Sequence, residues 1–129
     1  MAGEVRLRVE SKHTADDMGN NGASVLATPV MIGLMEQASL RALAPTLPDG
    51  SMTVGVAVHV KHLAATPPGR DVVVRATTRF FDGRRIVFTV EAHDEAGLIG
   101  EGTHERVWVR SDRFLANVEQ RFRGEARGR

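Results

Sequence analysis

Pro29-Val30-Met31-Ile32-Gly33-Leu34-Met35-Glu36-Gln37-Ala38-Ser39-Leu40-Arg41-Ala42-Leu43-Ala44 is the stretch on which the fold turns. Projected at about 100° per residue, Val30, Met31, Ile32, Leu34, Met35, Ala38, Leu40, Ala42 and Leu43 cover most of a helical wheel. Gln37 and Arg41, with Gly33 nearby, leave one polar stripe. A helix this apolar must be covered on most of its sides. Thr28 suits the N-cap, and Pro29 suits the first helical position, where a missing N–H loses no bond. Pro45 and Pro48 stop the helix.

The cover comes from the rest of the chain. Val5–Glu10 alternates Glu4, Arg6, Arg8 and Glu10 with Val5, Leu7 and Val9, a strand pattern and not a signal peptide. A polar, turn-prone loop follows at Asp16-Asp17-Met18-Gly19-Asn20-Asn21-Gly22. Beyond Pro48-Asp49-Gly50 everything reads as antiparallel sheet. Val54, Val56, Val58 and Val60 share one face of a strand, with Gly55, Ala57, His59 and Lys61 opposite. Ala65-Thr66-Pro67-Pro68-Gly69 interrupts the pairing. Strands Asp71–Phe81 and Arg85–His93 meet through Asp82-Gly83, a strong hairpin signal. Glu95-Ala96-Gly97 turns into a last strand from about Leu98 to Arg110, where Gly100-Glu101-Gly102 suggests a bulge. The ending, Arg121 to Arg129, is rich in arginine and glycine and is expected to fray. The expectation is an α+β fold: one domain over residues 1–129, a mostly antiparallel sheet of about five strands wrapped around one central helix.

Composition narrows the chemistry. Of the 129 residues, 42% are hydrophobic and 26% charged, which suits a folded globular chain and not a disordered one. The net charge of +1 points to no nucleic-acid or membrane partner, and no apolar run reaches the length of a membrane span. With no cysteine there is no disulfide and no thiolate chemistry, and no pair of histidines has metal-ligand spacing, so no metal and no cofactor are expected. A cytoplasmic location is the simplest reading.

Two polar residues sit where apolar ones belong. Glu36 lies about 80° round the wheel from Thr28, between Ile32 and Leu43 on one side and Leu40 on the other. A carboxylate on an apolar arc is either partnered or lining a cavity. The residue four positions on is Leu40, which removes the obvious helical partner. His62 extends the even-numbered face of the valine strand. Alone it would suit a core histidine bonded to backbone. Together with Glu36 it could form an acid–base couple able to activate water or orient a nucleophile near neutral pH. Thr28 caps the helix in this reading, and its hydroxyl lies where helix amides favour developing negative charge. His93 and His104 stand beside Asp94 and Glu105 and read as exposed pairs.

Thr28-Pro29-Val30-Met31-Ile32-Gly33-Leu34-Met35-Glu36, His62-Leu63-Ala64-Ala65-Thr66-Pro67-Pro68-Gly69 and Gly102-Thr103-His104-Glu105-Arg106 resemble the fluoroacetyl-CoA thioesterase-like branch of the hotdog-fold thioesterases. The resemblance runs from about Ala27 to Val118. It implies a hotdog fold, a homodimer, and hydrolysis of an acyl-CoA thioester at the subunit boundary. The family's catalytic Thr, Glu and His fall on Thr28, Glu36 and His62. A glycine whose N–H polarises the thioester carbonyl falls on Gly55, and a CoA-proximal arginine falls on Arg106. Glu36 would be general base or nucleophile, His62 would manage protons or hold Glu36, and Thr28 would hydrogen-bond the species that forms.

One segment departs from the pattern. Members specialised for the fluorinated acyl group carry a longer lid with aromatic and proline residues before the helix, whereas Asp16–Ala27 here has no aromatic residue. Gly19-Asn20-Asn21-Gly22 reads as a flexible polar loop without a bulky side chain. The expected activity is thus a broad short- or medium-chain acyl-CoA thioesterase. The alternatives are a hotdog hydratase or dehydratase, whose usual Asp-x4-His motif is not seen, and a non-catalytic acyl-CoA-binding module. A homodimer is expected, with the long last strands offering edges for pairing across a two-fold axis.

Overall fold

The computed structural model describes residues 1–127. Five strands form one antiparallel sheet: β1 (Ala2–Arg8), β2 (Ser51–His62), β3 (Asp71–Phe81), β4 (Arg85–Asp94) and β5 (Gly97–Arg110), in the order β1-β3-β4-β5-β2. The helix α1 (Thr28–Leu43) lies across the inner face, and a second helix, α2 (Ser111–Arg127), follows β5. This is the sheet-and-helix arrangement that the helix reading implied, and the hotdog fold that the resemblance implied.

α1 buries Met31, Leu34, Met35, Ala38, Ser39, Ala42 and Leu43 against the sheet's Val5, Val72, Val74, Phe88, Val90 and Ile99. Each large side chain fully removed from water there contributes about 1.5–3 kcal/mol. Gly3 permits the contact with β1: a Cβ at that position would run into the Ala38 carbonyl and the Ala42 amide. The sheet covers one side of α1. The arc of Gln37, Leu40 and Arg41 stays exposed, with Glu36 half-buried beside it.

The structure corrects several expectations. Thr28 is not the N-cap: that position belongs to Ala27, which makes no side-chain cap bond, and Thr28 begins the helix. The four valines of β2 do not share a face, because the register against β5 shifts between Gly55 and Ala57 and leaves Val56 as a bulge. Before the bulge the odd residues Thr53 and Gly55 face α1; after it the even residue Val60 packs on the core. Val56 and Val58 are exposed. β5 is flanked by β4 and β2, so the last strand offers no edge; the open edges are β1 and β2. The bulge on β5 falls at Ile99, where the pairing with β4 shifts, and not within Gly100-Glu101-Gly102. The region expected to fray continues α2 to Arg127, while residues 128–129 lie outside the described residues. No helix among the described residues is long and apolar enough to cross a membrane.

Candidate active site

Two polar clusters lie along α1. The first joins the start of the helix to the end of β2: Thr28 Oγ1 and His62 Nδ1 are 2.7 Å apart. His62 is placed by the segment that follows it. The Leu63 and Ala64 amides donate to the Ile99 carbonyl, and fully buried Thr66 donates its hydroxyl to Asp94 at 2.7 Å while its carbonyl accepts from Leu26. Burial works against the Asp94 charge, but hydrogen bonds from Thr66, Ala96 and Gly97 outweigh it and hold the carboxyl below its usual range. Burial pushes the His62 pKa down, against a weaker hydrogen bond to the Ala64 backbone, and so favours the neutral imidazole. Its Nε2 is buried with no partner. A neutral imidazole within hydrogen-bond reach of a hydroxyl has the geometry of a base beside a nucleophile or a water-orienting group.

A cleft of about 330 Å³ opens at this pair. The Asp16–Ala27 loop supplies much of its wall, through Asn20, Ala23, Val25 and Leu26, with Leu63 opposite. The loop is tied down more than its composition suggested. Ala15 N–H donates to Val25, Asp16 N–H to Ala23, and Gly22 N–H to the Asp16 side chain.

The second cluster gives Glu36 a partner that helical spacing could not reveal. Arg106 Nη1 stands 3.5 Å from Glu36 Oε2, with the arginine side chain 6% exposed and the carboxylate 44% exposed. Arg106 also donates to the Thr53 hydroxyl and carbonyl and lies 3.1 Å from His104 Nε2. The resemblance placed Arg106 near CoA; in this chain its guanidinium is committed to Glu36, Thr53 and His104. Gly55 completes the cradle, since a Cβ there would lie 3.0 Å from Glu36 Oε2 and 3.3 Å from Arg106 Nη1.

His104 is the residue that the sequence reading misjudged. It is buried, not exposed beside Glu105: it packs on Phe88, and its Nδ1 faces the Ala57 carbonyl at 3.0 Å. Burial lowers its pKa, chiefly by desolvation. Alternation along β5 carried the signal, because His104 shares a face with Arg106 and not with Glu105.

Within the chain the structure joins Thr28 to His62, and Glu36 to Arg106 and Gly55. It does not join Glu36 to His62: no hydrogen bond or ion pair links them among the described residues. Thr28 and Glu36 are separated by eight helical residues, about 12 Å of rise. No group of three His, Cys, Asp or Glu among the described residues could hold a metal ion.

Known proteins share this fold and much of this sequence. The family model described as FlK, fluoroacetyl-CoA-specific thioesterase, matches residues 9–112. A fluoroacetyl-CoA thioesterase of Streptantibioticus cattleyicolor is 48% identical over 97 residues, which cover 75% of this chain and 70% of that protein. A solved structure of the fluoroacetyl-CoA thioesterase FlK superposes with a TM-score of 0.85 at 38% identity, covering 93% of each chain. The Thermus thermophilus protein TTHA0967, a thioesterase superfamily member, superposes at 0.89 with 29% identity, over 100% of this chain and 95% of that one. The helix-borne Glu36, the Thr28–His62 pair and the hotdog sheet thus occur together in a chain that belongs to the fluoroacetyl-CoA-specific thioesterase family, a family of thioester hydrolases.

Proposed function

We propose that this thioesterase hydrolyses short- to medium-chain acyl-CoA at a site shared by two copies of the chain, with Thr28, Glu36 and His62 as its catalytic residues. The observation that carries the reading is the Thr28–His62 pair, 2.7 Å apart and opening onto a small cleft. A point mutant of FlK has been solved in complex with fluoroacetate and CoA, which supports an acyl-CoA ligand here. Oxygen from water adds to the thioester carbonyl, the C–S bond breaks, and a proton returns to the CoA thiolate. Glu36 either takes a proton from the attacking water or itself attacks the carbonyl carbon, expelling the thiolate to leave an anhydride that water then cleaves, and His62 carries the proton. The Gly55 amide polarises the carbonyl oxygen. Arg106, 3.5 Å from Glu36 Oε2, orients that carboxylate.

The two-copy site follows from the separation of the clusters. β2 is an open edge of twelve residues with Val56 and Val58 exposed. Antiparallel pairing of two such edges about a two-fold axis brings the His62 end of one strand toward the Ser51–Gly55 half of the other, where Glu36 stands. An acyl-CoA substrate is compatible with a cytoplasmic site of action.

A panel of short acyl-CoAs assayed for released CoA with a thiol reagent tests the activity. Hydrolysis supports it; hydration of crotonyl-CoA would indicate a hydratase, and binding without turnover a non-catalytic module. Light scattering tests the assembly, and a monomer at micromolar concentration would overturn the shared site.

A further inference from the structure

A second cleft of about 330 Å³ lies where the β3–β4 turn, the end of β5 and the first turns of α2 meet. Arg84, Trp108, Arg110, Arg113, Phe114 and Asn117 line it. Three guanidiniums and two aromatic rings stand there with no carboxylate in the lining. Arg110 reaches Asp112 at 3.4 Å, an exposed pair worth little. Arg84 and Arg113 make no ion pair among the described residues. Like charges gathered with only the exposed Asp112 as counter-charge repel, and an anion in the cleft relieves that repulsion.

The aromatic part is held in place. Trp108 stacks on Phe81 with 5.8 Å between ring centroids, and its N–H donates to the Arg84 carbonyl at 2.7 Å. Trp108 is two residues beyond Arg106 on β5, about 7 Å along the strand and on the same face. The cleft therefore adjoins the Glu36–Arg106 cluster. Arg106, only 5% exposed, has no free face for a phosphate, so positive charge for a polyanionic substrate must come from elsewhere.

We infer that this cleft binds the phosphorylated adenosine end of the CoA thioester, the arginines taking the phosphates and the aromatic lining the adenine. Guanidiniums pair with phosphate oxygens in bidentate geometry and stack on planar rings. A CoA thioester has its reactive carbonyl and its phosphates at opposite ends of a long arm, which suits a cationic cleft that shares no lining residue with the Glu36–Arg106 pair. Arg113, Phe114 and Asn117 come from α2 and lie beyond residue 112, where the family match ends. The inference rests on the acyl-CoA reading of the previous subsection.

Trp108 is the only tryptophan of the chain and reports on the cleft directly. Titration with 3′-phosphoadenosine 5′-phosphate is expected to change its fluorescence saturably, and Arg84→Ala/Arg113→Ala to weaken that binding by about tenfold or more. The same double variant should narrow the kcat/KM gap between an acyl-CoA and the matching acyl-pantetheine by about tenfold. Absence of a saturable change, equal affinity in the variant, an equal response to inorganic phosphate alone, or an unaltered substrate ratio each overturns the inference. If the parent protein hydrolyses neither thioester, the catalytic reading fails and the titration alone decides the cleft.

Discussion

The hydroxyl of Thr28 and Nδ1 of His62 stand 2.7 Å apart, tying the first residue of α1 to the last residue of β2. The bond engages the hydroxyl of the first helical residue, and Ala27 holds the cap position without side-chain help. Thr28 is thereby committed to the imidazole and not to helix stability.

Thr28→Ala should therefore cost less than about 0.5 kcal/mol in a urea melt, below the roughly 1 kcal/mol typical of a lost cap. Acyl-CoA hydrolysis by the same variant should fall clearly, while Thr28→Ser keeps most of it. A variant that loses stability and retains full turnover would return Thr28 to a structural role.

Glu36→Gln and His62→Ala are each expected to lower turnover by about two orders of magnitude or more, the scale of a lost acid–base group. Combining them should cost much less than the product of the two losses, because the groups act on one transition state. A loss under about tenfold for Glu36→Gln would leave that carboxylate as no more than the counter-charge of Arg106.

Acid should destabilise the fold from the ordinary histidine range downward. Burial lowers the pKa of both His62 and His104 below 6.5, with the backbone contacts at Ala64 and Ala57 opposing it. The unfolded chain takes up these protons near pH 6.5 while the native state resists them, so their contribution is complete above that value and is lost as pH falls through it. Tm measured from about pH 8 to about pH 5 should decline, and His104→Gln should flatten the decline. The acid limb of kcat/KM, which reports free His62, should lie below about pH 6.5. A Tm that stays level across this range contradicts the assignment.

Fluoroacetyl-CoA should be preferred over acetyl-CoA mainly through the fluorine's own activation of the carbonyl. The cleft at Thr28–His62 is walled by Asn20, Ala23, Val25, Leu26 and Leu63, with no aromatic ring to close over the acyl group. Apolar walls separate ligands of nearly equal size by only about 1–3 kcal/mol. The kcat/KM ratio of the two thioesters should be set beside their ratio in hydroxide hydrolysis. An enzymatic excess of about a thousandfold would mean that this wall discriminates better than such contacts allow.

What the sequence made legible was local. The all-round apolar wheel of Val30 to Leu43 and the Asp82-Gly83 turn carry their own evidence, so α1 and the β3–β4 hairpin stand where periodicity put them. Glu36 stood out by its position, but its partner Arg106 comes from β5, and no spacing rule spans that distance. His104 was misplaced because its chain neighbour Glu105 was weighed as a partner, although adjacent strand residues face opposite ways. α2 was hidden by its arginines, while Phe114, Val118 and Phe122 at helical spacing were the overlooked signal. The loop from Asp16 to Ala27 looked flexible because its order rests on backbone bonds, which leave no mark in composition.

The unpaired Val56 makes the length of β2 a functional quantity. Gly55 and His62 are an odd number of residues apart, so in a regular strand they would project from opposite faces of the sheet. The extra residue between them brings both to the helix side. Removing one residue here would leave a more regular ladder, yet it would turn either the Glu36 cradle or the imidazole outward. The outward positions His59 and Lys61 can accept many side chains, whereas a single insertion or deletion between Gly55 and His62 separates folding from catalysis.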